Sequence, residues 1–388
     1  MDSSSFDFES LPEDLQMQIL SRLPLKSLVT CICVSKKWAS LIRTKAFRDP
    51  YLHQSMTRPR VLFVAHDVRT HQNKDEALFH SVYQEEEPLL SSGQQQIRAN
   101  EAEAPLDEVS QPIRGLICLR GGTNVVICNP GAKKFRRLPQ IPQIQRPNGA
   151  SITIRCFFGY DESTDVFKVL CITQLGDGKR TKEFHVYTVT GGSVEEDSPW
   201  RRITCNHDHS PVTQGLFKGG FLYYGAQSNI SDKSLVMSFN VSSEDFTVIE
   251  LPEDIVQLDH RWKLVNYYKD IALVNDSDFK TGIVDIYDDG IGCFVLWVRK
   301  EISGDWGIEN IEIPQWLETV EHHMFVFNGT IGKTKLVFAP YCSLEGQIFV
   351  VYCHKDTKNL RRFEIEGMVD GYYNVRTFLN HVDSTWLI

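Results

Sequence analysis

An apolar strand, a polar turn and a closing strand recur five times along this 388-residue chain, and that recurrence constrains its fold more than any other feature. The copies are Val125 to Pro130 with Phe135 to Pro139, Phe184 to Val189 with Trp200 to Ile203, Leu235 to Val241 with Phe246 to Pro252, Cys293 to Val298 with Trp306 to Pro314, and Ile348 to His354 with Leu360 to Ile365. With Cys128, Tyr187, Phe239, Trp297 and Tyr352 as markers, the spacings are 59, 52, 58 and 55 residues. A β repeat of this length suits a propeller blade of about four strands. Hairpin-like pieces between the markers, such as Gly215 to Tyr224, supply the inner strands. Strands left over at both ends, Arg60 to Ala65 and Ala77 to Tyr83 at the start and Tyr372 to Ile388 at the finish, pair into a sixth blade. Closing the ring from both termini removes sheet edges that would otherwise invite aggregation. The expectation is a mainly β chain whose body, 58–388, is a closed six-bladed propeller; a pair of β-sandwiches is the alternative. The polar, acidic stretch 85–110 reads as a mobile surface loop.

The texture differs before residue 55, where apolar residues recur at helical spacing. Residues 1–9 read as disordered, and a three-helix domain follows over 10–53. Ser10, Pro12 and Glu13 form a capping pattern that predicts a helix start, and Leu15, Ile19 and Leu23 continue it at steps of four until Pro24. A second helix carries Leu25, Leu28, Val29 and Ile32, and a third Val34, Trp38, Leu41 and Ile42. The 42 residues from Leu11 to Leu52 approach the size at which a domain needs a metal, disulfides or a partner. Seven apolar residues crowd the first two helices, so some of that surface is meant for another protein.

Leu11-Pro12-Glu13-Asp14-Leu15, Ile19-Leu20, Arg22-Leu23-Pro24, Lys26-Ser27-Leu28, Val34, Lys36, Trp38 and Ser40-Leu41-Ile42 closely resemble an F-box in the plant style. The resemblance implies docking on the Skp-family adaptor of a cullin–RING ubiquitin ligase, with Leu11, Pro12, Leu15, Ile19, Leu20, Leu23, Pro24, Leu25 and Leu28 as the adaptor contacts. The body resembles the kelch-like F-box-associated domain of the same plant family. Arg114 to Leu119, Cys128-Asn129-Pro130 with Arg137-Leu138-Pro139, Phe158 to Asp161 with Phe167-Lys168-Val169, and Ser198 to Arg201 carry that likeness.

Chemistry is hard to find. Cys205, His207 and His209, and the pair His322-His323, fit no closed zinc spacing and read as polar loops. No Gly-x-Ser-x-Gly elbow appears, and Gly191-Gly192 and Gly219-Gly220 lie between strands, where they make hairpin turns rather than phosphate loops. No catalytic residue, cofactor or metal is expected. The nearest enzymatic rival, a kelch-like copper oxidase, needs converging His and Tyr ligands that a sequence cannot display.

The 41 basic against 50 acidic residues, a net charge of −9, argue against nucleic acid or an anionic membrane as partner. The basic cluster Lys133, Lys134, Arg136 and Arg137 reads as a turn and strand face. No apolar run reaches membrane-spanning length and no signal peptide is visible, so the expected location is cytoplasm or nucleus, with the ten cysteines reduced and buried. The resulting expectation is a non-catalytic substrate receptor. It binds the Skp-family adaptor and, through it, the cullin and RING subunits, and holds an unknown target on the β body. A decoy or a non-degradative scaffold is the alternative. Trp200, Trp262, Trp306 and Trp316 are read as blade packing before target anchors.

Overall fold

The structure is a computed structural model that describes residues 8–67, 77–84, 97–99, 107–142, 151–176, 182–191, 199–275, 291–320, 325–343, 348–365 and 373–387. Four helices open the chain: α1 (Glu13–Leu20), α2 (Leu25–Val34), α3 (Lys36–Arg43) and α4 (Lys45–Met56). Pro12 and Pro24 stand immediately before α1 and α2, where a missing N–H costs nothing. Ser35 and Thr44 cap α3 and α4 by accepting from the Trp38 and Phe47 amides.

Three expectations for this head need correction. Ser10 does not cap α1, because Phe8–Ser10 is a 3-10 turn and the Pro12 side chain makes no cap bond. Val34 ends α2 and is 72% exposed, so it is no part of the third helix's apolar stripe. The head also has a fourth helix, which runs past residue 53 and buries Phe47, Tyr51 and Leu52. Residues 1–7 of the expected disordered terminus lie outside the described residues.

The body is a six-bladed propeller. Blade 1 is β4 (Glu108–Val109), β5 (Ile117–Gly121), β6 (Asn124–Asn129) and β7 (Lys134–Arg137). Blade 2 is β8 (Ser151–Asp161), β9 (Val166–Gly176), β10 (Lys182–Val189) and β11 (Arg201–Ile203). In blade 3 the inner position is shared by β12 (His209–Pro211) and β13 (Leu216–Lys218), followed by β14 (Phe221–Ser228), β15 (Ser234–Asn240) and β16 (Phe246–Glu250). Blade 4 is β17 (Trp262–Tyr267), β18 (Asp270–Asn275), β19 (Gly292–Arg299) and β20 (Trp306–Ile313). Blade 5 is β21 (Phe325–Ile331), β22 (Lys335–Pro340), β24 (Ile348–His354) and β25 (Leu360–Ile365), with a short helix, α5 (Trp316–Val320), ahead of it.

The sixth blade closes the ring from both ends. C-terminal β26 (Tyr373–His381) pairs with β1 (Arg60–Asp67), which pairs with β2 (Ala77–Tyr83) and then β3 (Ile97–Ala99), while β23 (Cys342–Ser343) borders β26. All five repeat markers fall on the third strand of their blade, so the spacing in the sequence is the blade-to-blade step of the ring. Two readings change. β3 and β4 occupy parts of the stretch read as a loop over 85–110, whose residues 85–96 and 100–106 lie outside the described set. The terminal stretch Tyr372 to Ile388 is strand only as far as His381 among the described residues, and the tail beyond it instead buries Trp386.

The hydrophobic core is layered rather than central. Among the described residues, each of the six junctions between neighbouring blades has its own apolar cluster, such as Phe294, Phe327 and Phe338 between blades 4 and 5. This follows from strand alternation: a twisted sheet buried on both faces presents one set of side chains to each neighbour. Trp316 is core in this sense, being 3% exposed. Trp200 packs on Tyr187, and Trp200 and Trp306 each donate their indole N–H to the preceding blade, at Pro139 O (2.8 Å) and Glu250 O (2.9 Å). Both are half-buried clamps between blades, in line with the packing reading.

One covalent feature was not legible beforehand. Cys156 and Cys171, facing each other across β8 and β9, form a disulfide, which corrects the expectation that every thiol is reduced.

Candidate functional site

The helical head sits on one end of the propeller. Ala132, in the turn after β6, belongs to the same apolar cluster as Leu20, Leu25, Leu28, Ile42, Phe47 and Tyr51. Gly131 beside it lets the two units meet, since a Cβ there would lie 2.7 Å from Leu25 Cδ2. Around this contact runs a ring of charge. Arg48 donates to Asp165 at 2.7 Å and stacks 4.1 Å from the Trp386 ring centroid; Lys45 lies 3.4 Å from Asp165, and Arg114 donates to Asp49 at 3.2 Å. Tyr160 also donates to Asp165. Burial alone would raise the Asp165 pKa, but the Tyr160 hydrogen bond and the Arg48 and Lys45 charges together hold it below the ordinary value. The Asp383 amide donates to Ser55 Oγ at 2.7 Å, fastening the end of α4 to the C-terminal tail.

Two sequence motifs explain this end of the molecule. Asn129, of Cys128-Asn129-Pro130, is 1% exposed and donates to the Ser384 and Trp386 carbonyls at 2.8 and 2.7 Å, while accepting from the Ala132 amide at 3.0 Å. Gly115, of Arg114-Gly115-Leu116, has φ +83°, and a Cβ there would lie 2.5 Å from Ser384 Cβ. Both residues hold the tail that Arg48 stacks on. Of the basic cluster beyond them, Arg136 is buried and donates to Thr190 O at 2.7 Å, whereas Lys133, Lys134 and Arg137 are exposed.

Nine residues were expected to face an adaptor, and the structure separates them. Leu20, Leu25 and Leu28 are buried in the head's own core, so the contact set proposed below leaves them out. Leu15 and Ile19, one turn apart on α1, are 44% and 45% exposed. Pro12 and Pro24 are exposed, and Leu11 and Leu23 half-buried. Among the described residues the remaining six thus offer a partly uncovered apolar surface, with Leu15 and Ile19 its exposed large hydrophobic side chains.

The propeller channel is a cavity of about 680 Å³ lined by the inner strands of blades 2 to 6 and by Gln111 to Arg114 of blade 1. β8 leads into Asp165, and β26 into Asp383, so the inner strands run toward the head. Their starts therefore surround the opposite mouth. In that half, Arg120 binds Glu108 (2.9 Å) and Asp107 (2.8 Å), and Arg155 binds Glu108 (2.7 Å). Among the described residues Arg376, on β26, makes one hydrogen bond, to the Asp107 carbonyl oxygen at 3.3 Å. Of this cluster Arg376 lines the channel, together with half-buried Trp262 and exposed Tyr341. This cluster was missed in the sequence, where its members are scattered from 107 to 376 with no local pattern.

The metal-like set is not an open site. His209 uses both ring nitrogens, Nδ1 with the His207 carbonyl (2.8 Å) and Nε2 with the Tyr224 hydroxyl (2.9 Å), and burial lowers its pKa to about 4. His322-His323 lies outside the described residues.

A helical head with a bare apolar stripe, fused to a closed propeller, is the architecture of an F-box protein of the propeller class. Sequence families bear this out: the F-box domain matches residues 8–49, and the F-box associated beta propeller domain matches residues 60–382. Two putative F-box proteins of Arabidopsis thaliana are 56% and 53% identical, the alignments covering 98% of this chain and 99% of each relative. An F-box/kelch-repeat protein of the same plant is 29% identical over 96% of this chain and 92% of its own length. The chain belongs to the plant F-box proteins that carry an F-box-associated β-propeller.

Proposed function

We propose that the chain is the substrate-receptor subunit of an SCF-type cullin–RING ubiquitin ligase. Leu11, Pro12, Leu15, Ile19, Leu23 and Pro24 dock on the Skp-family adaptor, and through it on the cullin and RING subunits, while the propeller holds a target protein. The chain makes no bond itself. Its contribution is proximity, which turns transfer of ubiquitin to a target lysine into an effectively intramolecular step. Cytoplasm and nucleus are where it acts. One observation carries the reading: the exposed Leu15–Ile19 stripe sits on a head that apolar contacts and ion pairs fix to the propeller. A bound target would therefore keep a set geometry to the adaptor.

The test is co-purification with a Skp-family adaptor and a cullin, comparing wild type with the Leu11→Ala, Pro12→Ala, Leu15→Ala triple variant. Recovery of both partners by wild type, and their loss in a variant whose propeller stays folded, is the expected result. Adaptor binding without cullin would mark a decoy. Failure of wild type to bind several adaptor isoforms would refute the docking role.

A further inference from the structure

We propose that Arg376 is the anchor of a carboxylate-binding subsite in the channel, in the half away from the F-box, and that it takes an acidic side chain of the bound target. This deepens the target-holding reading and rests on it for the identity of the ligand's carrier.

Charge and hydrogen bonding argue together. Three guanidinium groups, Arg120, Arg155 and Arg376, share this corner with two carboxylates, Asp107 and Glu108. Both carboxylates are engaged by Arg120 and Arg155. Arg376 makes one long bond, to a backbone carbonyl, and its Nη1 is shut off from bulk water with no partner among the described residues. A buried guanidinium nitrogen left without an acceptor is costly to maintain, and burial works against the charge it shares in. Its fork of donors fits a carboxylate bidentately. The corner has one positive charge in excess, which matches a monoanion, whereas a phosphate dianion would leave negative charge beside Glu108.

Position points to a side chain arriving from outside. Arg376 is five residues before His381, about 17 Å along the strand from the head end. Asn374 and exposed Tyr341 line the channel around it, so the wall there is polar among the described residues. An acidic residue on an extended loop of a target can enter from the face that the F-box leaves free.

The experiment titrates full-length protein with fluorescein-labelled acetyl-pentaglutamate amide, using the pentaglutamine peptide as the neutral counterpart. Arg376→Gln is compared with Lys134→Gln, which removes an equal charge from an exposed strand of blade 1. Expected are binding of pentaglutamate but not pentaglutamine by wild type, at least a tenfold loss in Arg376→Gln, and less than a twofold change in Lys134→Gln. Arg376→Gln should also melt no earlier than wild type, because no carboxylate loses its partner. Equal binding of both peptides, or equal losses in both variants, would overturn the assignment. Unfolding of Arg376→Gln would overturn it too, by showing a structural guanidinium. Displacement of bound pentaglutamate by inorganic phosphate, but not by free glutamate, would replace the carboxylate with a phosphate. Adaptor capture by the same preparations reads the F-box separately, so failure there is distinguishable from failure of the subsite.

Discussion

The Arg48–Asp165 pair should couple the F-box to the propeller strongly enough to measure. The bond is 2.7 Å long and its side chains are 13% and 19% exposed, so it is neither a surface pair nor a fully buried one. A charge-assisted hydrogen bond in such a setting contributes about 1.5–3 kcal/mol. Arg48 also stacks on Trp386, worth a further ~0.5–1 kcal/mol. Asp165→Asn removes the charge and keeps a residue that tolerates the left-handed backbone at that position, where φ is +56°. Expected costs are about 1.5–3 kcal/mol for Asp165→Asn and about 2–4 kcal/mol for Arg48→Ala, with a coupling of about 1.5–3 kcal/mol in the double variant. The assay is hydrogen exchange of the α4 amides, which reads separation of head from propeller without requiring global two-state unfolding. The coupling should survive 0.5 M salt, where the screening length is about 4 Å, because the pair is largely shielded. A coupling below about 0.5 kcal/mol would refute the argument and leave Phe47, Tyr51 and Ala132 as what holds the head.

Leu15→Ala with Ile19→Ala should weaken adaptor binding by about 1 kcal/mol per residue, the worth of covering the part of each side chain that α1 leaves exposed, and surface plasmon resonance would show a loss of about 30-fold for the pair. Asn129→Ala strands two carbonyls and one amide inside the protein and should lower stability by about 3 kcal/mol or more in urea unfolding; an effect under about 1 kcal/mol would mean the tail is held by Trp386 alone. Burial lowers the pKa of His80 and His209 to about 4 and of His381 to about 3. The unfolded chain binds these protons near pH 6.5, so the stabilisation is complete above that value and declines on acidification toward pH 4. Its slope approaches about 4 kcal/mol per pH unit for the three groups together. His80, whose ring nitrogens have no partner among the described residues, should when changed to Phe remove about a third of that slope in urea midpoints between pH 7 and 5.

Much of this molecule is written locally. The 52 to 59 residue spacing of Cys128, Tyr187, Phe239, Trp297 and Tyr352 determined the blade step, because a blade is four sequential antiparallel strands and each must repeat its own pattern of apolar residues. The Leu-Pro starts and leucine steps of the head determined its first helices and marked a surface in excess of what they can bury. Helix α4 was missed, although Phe47, Tyr51 and Leu52 lie at helical spacing, because the family resemblance ended before it and Pro50 masks the period. Which leucines face outward could not be read either: Leu20, Leu25 and Leu28 differ from Leu15 only in what packs on them, and Ala132 of blade 1 supplies part of that covering. The remaining decisions join residues distant in sequence. Asn129 meets Trp386 across 257 positions, Arg376 meets Asp107 across 269, and Cys156 meets Cys171 only because β8 and β9 pair in that register. Local pattern fixes strands and helices, since each depends on its neighbours in the chain. The docked head, the buried tail and the place of Arg376 in the channel exist only once the ring closes and sets their distances.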